Sequence, residues 1–317
     1  MTRIRAALVT LALAAATLLG ITATAGSASA TYAGHDGKIA FVRANQIYTM
    51  SSTGTGVTKL TSSGKNYRPH WSPDGKRIAY VNETAGGAKN VWVMSATGGS
   101  KQRVTTTGDV TSAGAAWAPN GRTLAFAKGS DPTYGSTLYT VRSTSPFGTP
   151  TQVISTRSTN ELCAGDYGGG PVPVARYLAW SADDTIAVYN HDSACPDDAI
   201  WMYYPATGEY RQYEVTGGEC CGFLEWSDLF FGPGSQFGYS QADHGDEYQV
   251  PNPPTRIVYG GFASRNGDTG GSPSPSGAYL ALTNASSGTA QVLRADIDGT
   301  GRRVLTTGYQ PDWQRVS

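Results

Sequence analysis

The chain has 317 residues, and its 24 basic side chains are balanced by 24 acidic ones. This balance gives no electrostatic reason to expect nucleic acid or an anionic membrane as a partner. The 40 glycines and 17 prolines, with no long stretch of helical periodicity, favour strands and turns over helices.

Residues 1–30 have the features of a bacterial export signal. Arg3 and Arg5 form a basic start, and the apolar run Ala6–Gly20 is too short to span a bilayer. Ala28-Ser29-Ala30 is a small-residue cleavage pattern. A retained membrane anchor is the alternative, and the shortness of the run argues against it. We expect cleavage after Ala30 and a secreted, extracellular protein without a membrane-inserted segment.

A motif of strand, tight turn and strand recurs along the rest of the chain, residues 31–317. In the clearest copy, Trp71–Val81, the residues Ser72-Pro73-Asp74-Gly75 fit a type I turn between two strands. Further copies lie at Trp117, Trp180 and Pro273, with a degraded copy at Trp226 and a last one ending on Trp313. The copies recur at roughly 40 to 47 residues, except for a longer interval before Trp180, and this period is typical of one propeller blade.

The first copy lacks its first strand. Asp36–Val42 matches the second strand of the motif, and Tyr309–Trp313 at the opposite end matches the missing first one. We predict that these two segments pair and close a ring, which removes the exposed edges of an open sheet. The predicted fold is all-β, a single six-bladed β-propeller over residues 31–317.

The fifth predicted blade is the least regular. We place its four strands near the following segments: Phe223–Trp226, Gln236–Ser240, Glu247–Val250 and Thr255–Tyr259.

The run Trp71-Ser72-Pro73-Asp74-Gly75-Lys76-Arg77-Ile78-Ala79-Tyr80, followed by Val91–Met94 and Arg103–Thr105, resembles the propeller repeat of TolB-like proteins. The resemblance is specific for architecture rather than activity, because many functions share this fold. With only Thr31–His35 ahead of the repeats and no residue after Ser317, we expect the propeller alone. The N-terminal domain of TolB and the hydrolase domain of prolyl-oligopeptidase-like enzymes are both expected to be absent.

Six tryptophans lie at repeat-equivalent or blade positions: Trp71, Trp92, Trp117, Trp180, Trp226 and Trp313. They could form a set that stacks on a ligand. Their recurrence at the structural period instead favours packing between blades.

The four cysteines fall in connections between strands. Cys163 precedes blade 4, Cys195 lies within it, and Cys220 and Cys221 follow it, so antiparallel topology brings all four to one face. In an exported protein this pattern predicts two disulfides. Because adjacent cysteines bond to each other only with strain, we favour Cys163 and Cys195 each bonding one of the other two. A metal site with His191 is the alternative, although no C-x-x-C spacing is present.

Polar residues collect on the same face, opposite the Ser-Pro-Asp-Gly turns. The candidate ligand-binding residues are Asp166, Tyr167, His191, Asp192, Asp197, Glu219, His244 and Asp246. They are either solvated loop charges or the rim of the central channel, where they would bind a ligand or a cation. The motifs G-x-S-x-G and H-E-x-x-H are absent, so no catalytic residue is assigned. No cofactor is expected, and nothing in the sequence supports a divalent cation.

We expect a non-catalytic binding or scaffold protein, monomeric, with a protein or cell-envelope glycan as its partner. The alternative is an extracellular carbohydrate-active enzyme, a lyase or hydrolase. The oligogalacturonate lyases also resemble this propeller. That alternative requires His191, His244 or the acids near them to line one pocket.

Overall fold

The computed structural model describes residues 34–131, 135–154, 175–191, 198–216, 224–245 and 253–316. These residues form 23 strands in six antiparallel sheets, which are the blades of a propeller. The predicted all-β, six-bladed architecture is confirmed. Among the described residues, no helix is long and apolar enough to cross a membrane.

The strands of each blade are given below from the innermost to the outermost, following the order of the sheet. Blade 1 combines β23 Tyr309–Val316 with β1 His35–Arg43, β2 Gln46–Met50 and β3 Thr58–Lys59. Blade 2 contains β4 Lys65–Trp71, β5 Arg77–Glu83, β6 Lys89–Ser95 and β7 Gln102–Arg103. Blade 3 contains β8 Val110–Trp117, β9 Thr123–Asp131, β10 Gly135–Arg142 and β11 Thr151–Ile154.

The remaining blades follow the same scheme. Blade 4 contains β12 Ala175–Trp180, β13 Ile186–His191, β14 Asp198–Tyr204 and β15 Glu209–Thr216. Blade 5 contains β16 Leu224–Phe231, β17 Phe237–Asp243 and β18 Thr255–Val258. Blade 6 contains β19 Asp268–Pro273, β20 Tyr279–Asn284, β21 Gln291–Asp296 and β22 Arg303–Thr307.

The C-terminal strand closes the ring, as the sequence predicts. β23 pairs antiparallel with β1, with Trp313 opposite Ile39 and Val316 opposite His35. The side chain of Asp312 accepts a hydrogen bond from the backbone N–H of Trp71 at 2.6 Å, which ties β23 to blade 2. On the other side, Ser272 Oγ accepts one from the backbone N–H of Trp313 at 2.9 Å, which ties β23 to blade 6.

The hydrophobic core is divided into six clusters, one at each seam between neighbouring blades. Each repeat tryptophan packs against the preceding blade; Trp71 contacts blade 1, and Trp117 contacts blade 2. Trp226 is fully buried against Tyr189 and Tyr239. The tryptophans therefore serve packing between blades, and the ligand-stacking alternative is wrong for this set.

The tight turns between the first and second strands of each blade define one face of the ring, which we call the turn face. In blade 2, Ser72 Oγ donates to the carboxylate of Asp74 at 2.5 Å, and the N–H of Gly75 donates to the carbonyl of Ser72 at 2.8 Å. Gly75 has a φ of 65°, and a Cβ there would lie 2.0 Å from the carbonyl oxygen of Arg315. Only glycine satisfies both constraints.

Blade 5 corrects two predictions. Trp226 lies within β16 opposite Gln241, whereas Phe231 pairs with Phe237 next to the turn and so takes the position of the repeat tryptophan. The predicted fourth strand near Thr255–Tyr259 is the third, because β18 pairs directly with β17. The segment Glu247–Val250, predicted as the third strand, lies outside the described residues.

The outer edge of blade 5 is covered by an irregular segment instead of a fourth described strand. Ser264 Oγ accepts the N–H of Ile257 at 2.8 Å, and the N–H of Gly267 donates to the carbonyl of Thr255 at 3.1 Å. Phe262 is buried in the seam with blade 6. These contacts replace the ladder that a fourth strand would provide.

Removal of residues 309–317 should abolish cooperative folding, because it exposes the inner edge of β1 and opens the seams to blades 2 and 6. A permuted chain that places Tyr309–Val316 before Gly34 through a short turn should restore folding, since Val316 lies opposite His35. Urea unfolding followed by tryptophan fluorescence measures both. A truncated chain as stable as the parent would contradict the role assigned to this strand.

Candidate functional site in the central channel

The innermost strands of all six blades line a narrow central cavity of about 40 Å³. Its walls include Arg68, Tyr177, Asp228, Gly270 and Gln310, one from each of five blades. The strands neighbour one another in the order β23, β4, β8, β12, β16, β19 and back to β23. Blades 2 and 5 therefore lie directly opposite each other across the channel.

A β-bulge interrupts each innermost strand at about the same depth. We call the position of the repeat tryptophan, or of its equivalent in each blade, the repeat position. At the bulge, three positions before it, five blades have a residue with positive φ. These residues are Arg68, Gly114, Asp228, Gly270 and Gln310. Two of them are glycines, for which a left-handed backbone is unstrained. Arginine, aspartate and glutamine pay a conformational cost there, which indicates that their side chains contribute something glycine cannot.

That contribution is an ion pair across the lumen. Arg68 of blade 2 donates from Nη1 to Oδ1 of Asp228 on the opposite blade, and both side chains are largely buried. Gln310 Oε1 accepts the backbone N–H of Arg68 at 2.9 Å and so holds the strained residue in place. The pair closes the channel from within.

Of the two glycines at the same depth, Gly114 leaves room that Arg68 needs, whereas a side chain at Gly270 would make an ordinary contact. A Cβ on Gly114 would lie 3.0 Å from Cβ of Arg68, and one on Gly270 would lie 3.7 Å from Oδ2 of Asp228. Tyr177 of blade 4 supports the guanidinium, whose carbon lies 4.6 Å from the centre of its ring. At the bulge positions, the side chains of Arg68 and Asp228 therefore fill the lumen, whereas the glycines add no side chain to it.

Electrostatics at this depth follow from burial and pairing. Burial disfavours the charged guanidinium, but the carboxylate of Asp228 and the hydroxyl of Tyr177 more than offset it and raise the pKa of Arg68. Burial also raises the pKa of Tyr177, against the opposing influence of Arg68. Arg68 therefore stays charged throughout the physiological range.

A second polar cluster lies nearer the turn face, one residue before the repeat position. Asp312 Oδ1 lies 3.5 Å from Nδ1 of His70 and 3.4 Å from Oγ of Ser272. The carboxylate stands between the other two groups, so His70 does not bridge a hydroxyl and an acid as in a hydrolytic triad. The cluster joins blades 6, 1 and 2 and serves ring closure.

Towards the opposite face, which we call the loop face, one further pair approaches the channel. His244 follows β17, and its Nε2 lies 3.5 Å from Oε2 of Glu225 on β16. Glu225 is close enough to Tyr177 to influence its pKa. Polar groups therefore extend from the loop face down to the Arg68–Asp228 pair.

Of the sequence-predicted site residues, His244 has a described side chain, and it is partly buried beside Glu225. The backbone of His191 lies at the end of β13 opposite Asp198. The other candidates lie outside the described residues: Asp166, Tyr167, Asp192, Asp197, Glu219, Asp246, Cys163, Cys195, Cys220 and Cys221. The strands flanking them end on the loop face, in agreement with the predicted topology.

The sequence analysis missed Arg68, Tyr177, Asp228 and Gln310. A comparison of the residues three positions before the repeat position in each blade would have identified Arg68, Tyr177 and Gln310. Asp228 was hidden because Trp226 was taken as the repeat tryptophan in place of Phe231. Within the described ranges, no cluster of three or more His, Cys, Asp or Glu residues could hold a metal ion.

This geometry defines a class of protein, the closed six-bladed β-propeller with a blocked channel. The family model described as the TolB beta propeller domain matches residues 8–161. The resemblance to TolB-like propeller repeats that the sequence predicts is confirmed by this match and by the six-bladed architecture. No curated protein matches the chain.

Solved structures share the fold at low sequence identity. TolB from Acinetobacter baumannii superposes with a TM-score of 0.64 at 14% identity, over 88% of this chain and 67% of that one. A protein designated TolB from Agrobacterium tumefaciens gives 0.57 at 16% identity, over 87% and 91%. Hydrazine synthase from Kuenenia stuttgartiensis gives 0.62 at 10% identity, over 91% and 48%. At these identities the similarity establishes fold alone.

Asp228→Asn should destabilise the protein by about 3 kcal/mol, because it leaves the largely buried guanidinium of Arg68 without its counter-charge. Asparagine tolerates the left-handed backbone at this position, so the change isolates the charge. Chemical unfolding measures the loss. Asp243→Asn, at an exposed position of β17, is the matched control and should change stability little.

Removal of both charges in Arg68→Gln/Asp228→Asn should recover part of the loss, because no unpaired charge remains. Equal stability of Asp228→Asn and the parent would show that the ion pair does not form in solution.

Proposed function

We propose that this chain is an exported, non-catalytic TolB-like propeller that binds a protein or a cell-envelope glycan on its loop face. The export signal predicted from residues 1–30 supports the location, and the family-model match supports the architecture. The partner class comes from the sequence analysis.

The observation that carries this proposal is the ion pair inside the channel. Because Arg68 and Asp228 meet across the lumen, a partner cannot pass through the ring and has the mouth and the faces left to contact. The loop face offers the longest connections, and binding residues concentrate in loops that a rigid scaffold positions. His244 and Glu225 stand where that face meets the innermost strands.

The pairing of His244 with Glu225 favours one second candidate, an extracellular carbohydrate-active enzyme. A histidine within reach of a carboxylate is suited to acid–base work when it lies near a substrate. Nδ1 of His244 is buried without a hydrogen-bond partner among the described residues, and Nε2 faces the carboxylate of Glu225. This candidate requires turnover of a glycan at the mouth.

A panel of purified cell-envelope and plant polysaccharides distinguishes the binding proposal from the enzymatic one. Each polysaccharide is assayed for retention on the immobilised protein and for release of reducing ends. We expect retention without product. His244→Ala should weaken retention several-fold, whereas His35→Ala, an exposed histidine at the start of β1 on the turn face, should not. Product release that His244→Ala abolishes would replace the binding proposal with the enzymatic one.

The loop face is further proposed to be tied by two disulfides among Cys163, Cys195, Cys220 and Cys221. Non-reducing peptide mapping of the exported protein should find no free thiol, with Cys163 and Cys195 each linked to the Cys220–Cys221 segment. Two free thiols among the four would contradict this arrangement.

A further inference from the structure

A cleft on the turn face, remote from the loop face, is large enough for a ligand. Its volume is about 490 Å³, and it lies where the turns of blades 2 and 3 meet the end of β23. Its lining residues are Pro73, Asp74, Lys76, Arg77, Pro119, Asn120, Gly121, Arg122 and Arg315. A space of this size is in the range of small-molecule sites rather than of surface irregularities.

The charge of this cleft is strongly one-sided. Among the described residues that line it, four side chains are cationic and Asp74 is the single acid. Asp74 is engaged within its own turn, where it accepts hydrogen bonds from Ser72 Oγ and from the backbone N–H of Lys76. Within the described part of the chain, none of the four cations has a carboxylate within ion-pair distance.

The turns themselves do not require these cations. In four blades the turn contains one left-handed residue, Gly75, Gly121, Asp184 or Gly277, and in blade 5 it contains two, the last of which is Ser235. The residue that follows it is Lys76 in blade 2 and Arg122 in blade 3, the two turns that line the cleft. In the other three blades it is Thr185, Gln236 or Ala278. Positive charge is thus concentrated at this one cleft and not repeated around the ring.

Two of the arginines are held in place by contacts within the protein. Arg77 donates to the carbonyls of Ser143 at 3.0 Å and Gly121 at 2.7 Å, and its guanidinium stacks 4.7 Å from the centre of Trp117. These neutral contacts fix the group without neutralising its charge. Arg315 reaches the carbonyl of Pro73 at 3.5 Å, and its buried Nε has no hydrogen-bond partner among the described residues.

We propose that this cleft binds a small polyanion through its carboxylate or phosphate oxygens. Planar guanidinium groups match such oxygens in pairs, and a fixed guanidinium loses little conformational entropy on binding. Among the described residues no aromatic side chain lines the cleft, and no stacking platform for an uncharged sugar ring is seen there. The site is independent of the function proposed for the loop face.

Titration calorimetry of the full chain with inorganic pyrophosphate and with citrate tests the proposal. Both anions should bind, and the stronger of the two identifies the preferred oxygen donor as phosphate or carboxylate. Affinity should fall as salt concentration rises, because the interaction is electrostatic.

The variant Lys76→Gln/Arg122→Gln should lower the affinity at least about tenfold, since both side chains are exposed and carry no described structural contact. Arg103→Gln/Arg303→Gln removes the same charge from exposed positions on outer strands of blades 2 and 6 and is the matched control. It should retain affinity within about twofold. Absence of binding by the parent protein to either anion, or an equal loss in both variants, would overturn the proposal.

Discussion

The pairing of β23 with β1 is the constraint on which the rest of the molecule depends. Two segments from opposite ends of the chain share one sheet, so the inner edge of β1 is paired rather than exposed. The polar side chains Asp312 and Ser272 extend this closure to both neighbouring blades by accepting backbone N–H groups at the repeat position. Closure also sets the number of blades, and the number of blades decides which residues face each other across the channel.

The channel shows how a repeated backbone feature is put to different uses. Each innermost strand has a bulge at the same depth, yet the side chains there differ from blade to blade. Gly114 and Gly270 leave space, and Arg68 and Asp228 cross it to meet under the ring of Tyr177. Left-handed backbone at non-glycine positions is the strain that accompanies this arrangement.

The two faces of the ring differ in chemistry. The loop face carries His244 beside Glu225 and the ends of the strands that lead into the cysteine-containing connections. The turn face carries compact turns, and its charge is concentrated where Lys76, Arg122 and Arg315 converge. Because the ion pair blocks the lumen, each face can act separately, and a ligand on one does not reach the other through the ring.

The sequence by itself determined the architecture, since the period of the Trp-turn-strand motif measures one blade and the split motif at the two ends implies closure. It also indicated that the tryptophans are packing residues, and it placed the loop and turn faces on opposite sides. Periodicity carries this information because it reflects local strand and turn geometry that every blade repeats.

Only the tertiary structure decided the site. Arg68 and Asp228 are 160 residues apart, and nothing local marks them as partners until the ring places their blades opposite each other. The degraded fifth copy misled the sequence reading, because Trp226 packs in a seam as a repeat tryptophan would while Phe231 holds the repeat position. The basic cleft likewise depends on Arg315 meeting the turn of blade 2, 242 residues away in the chain, which follows from ring closure and from no local pattern.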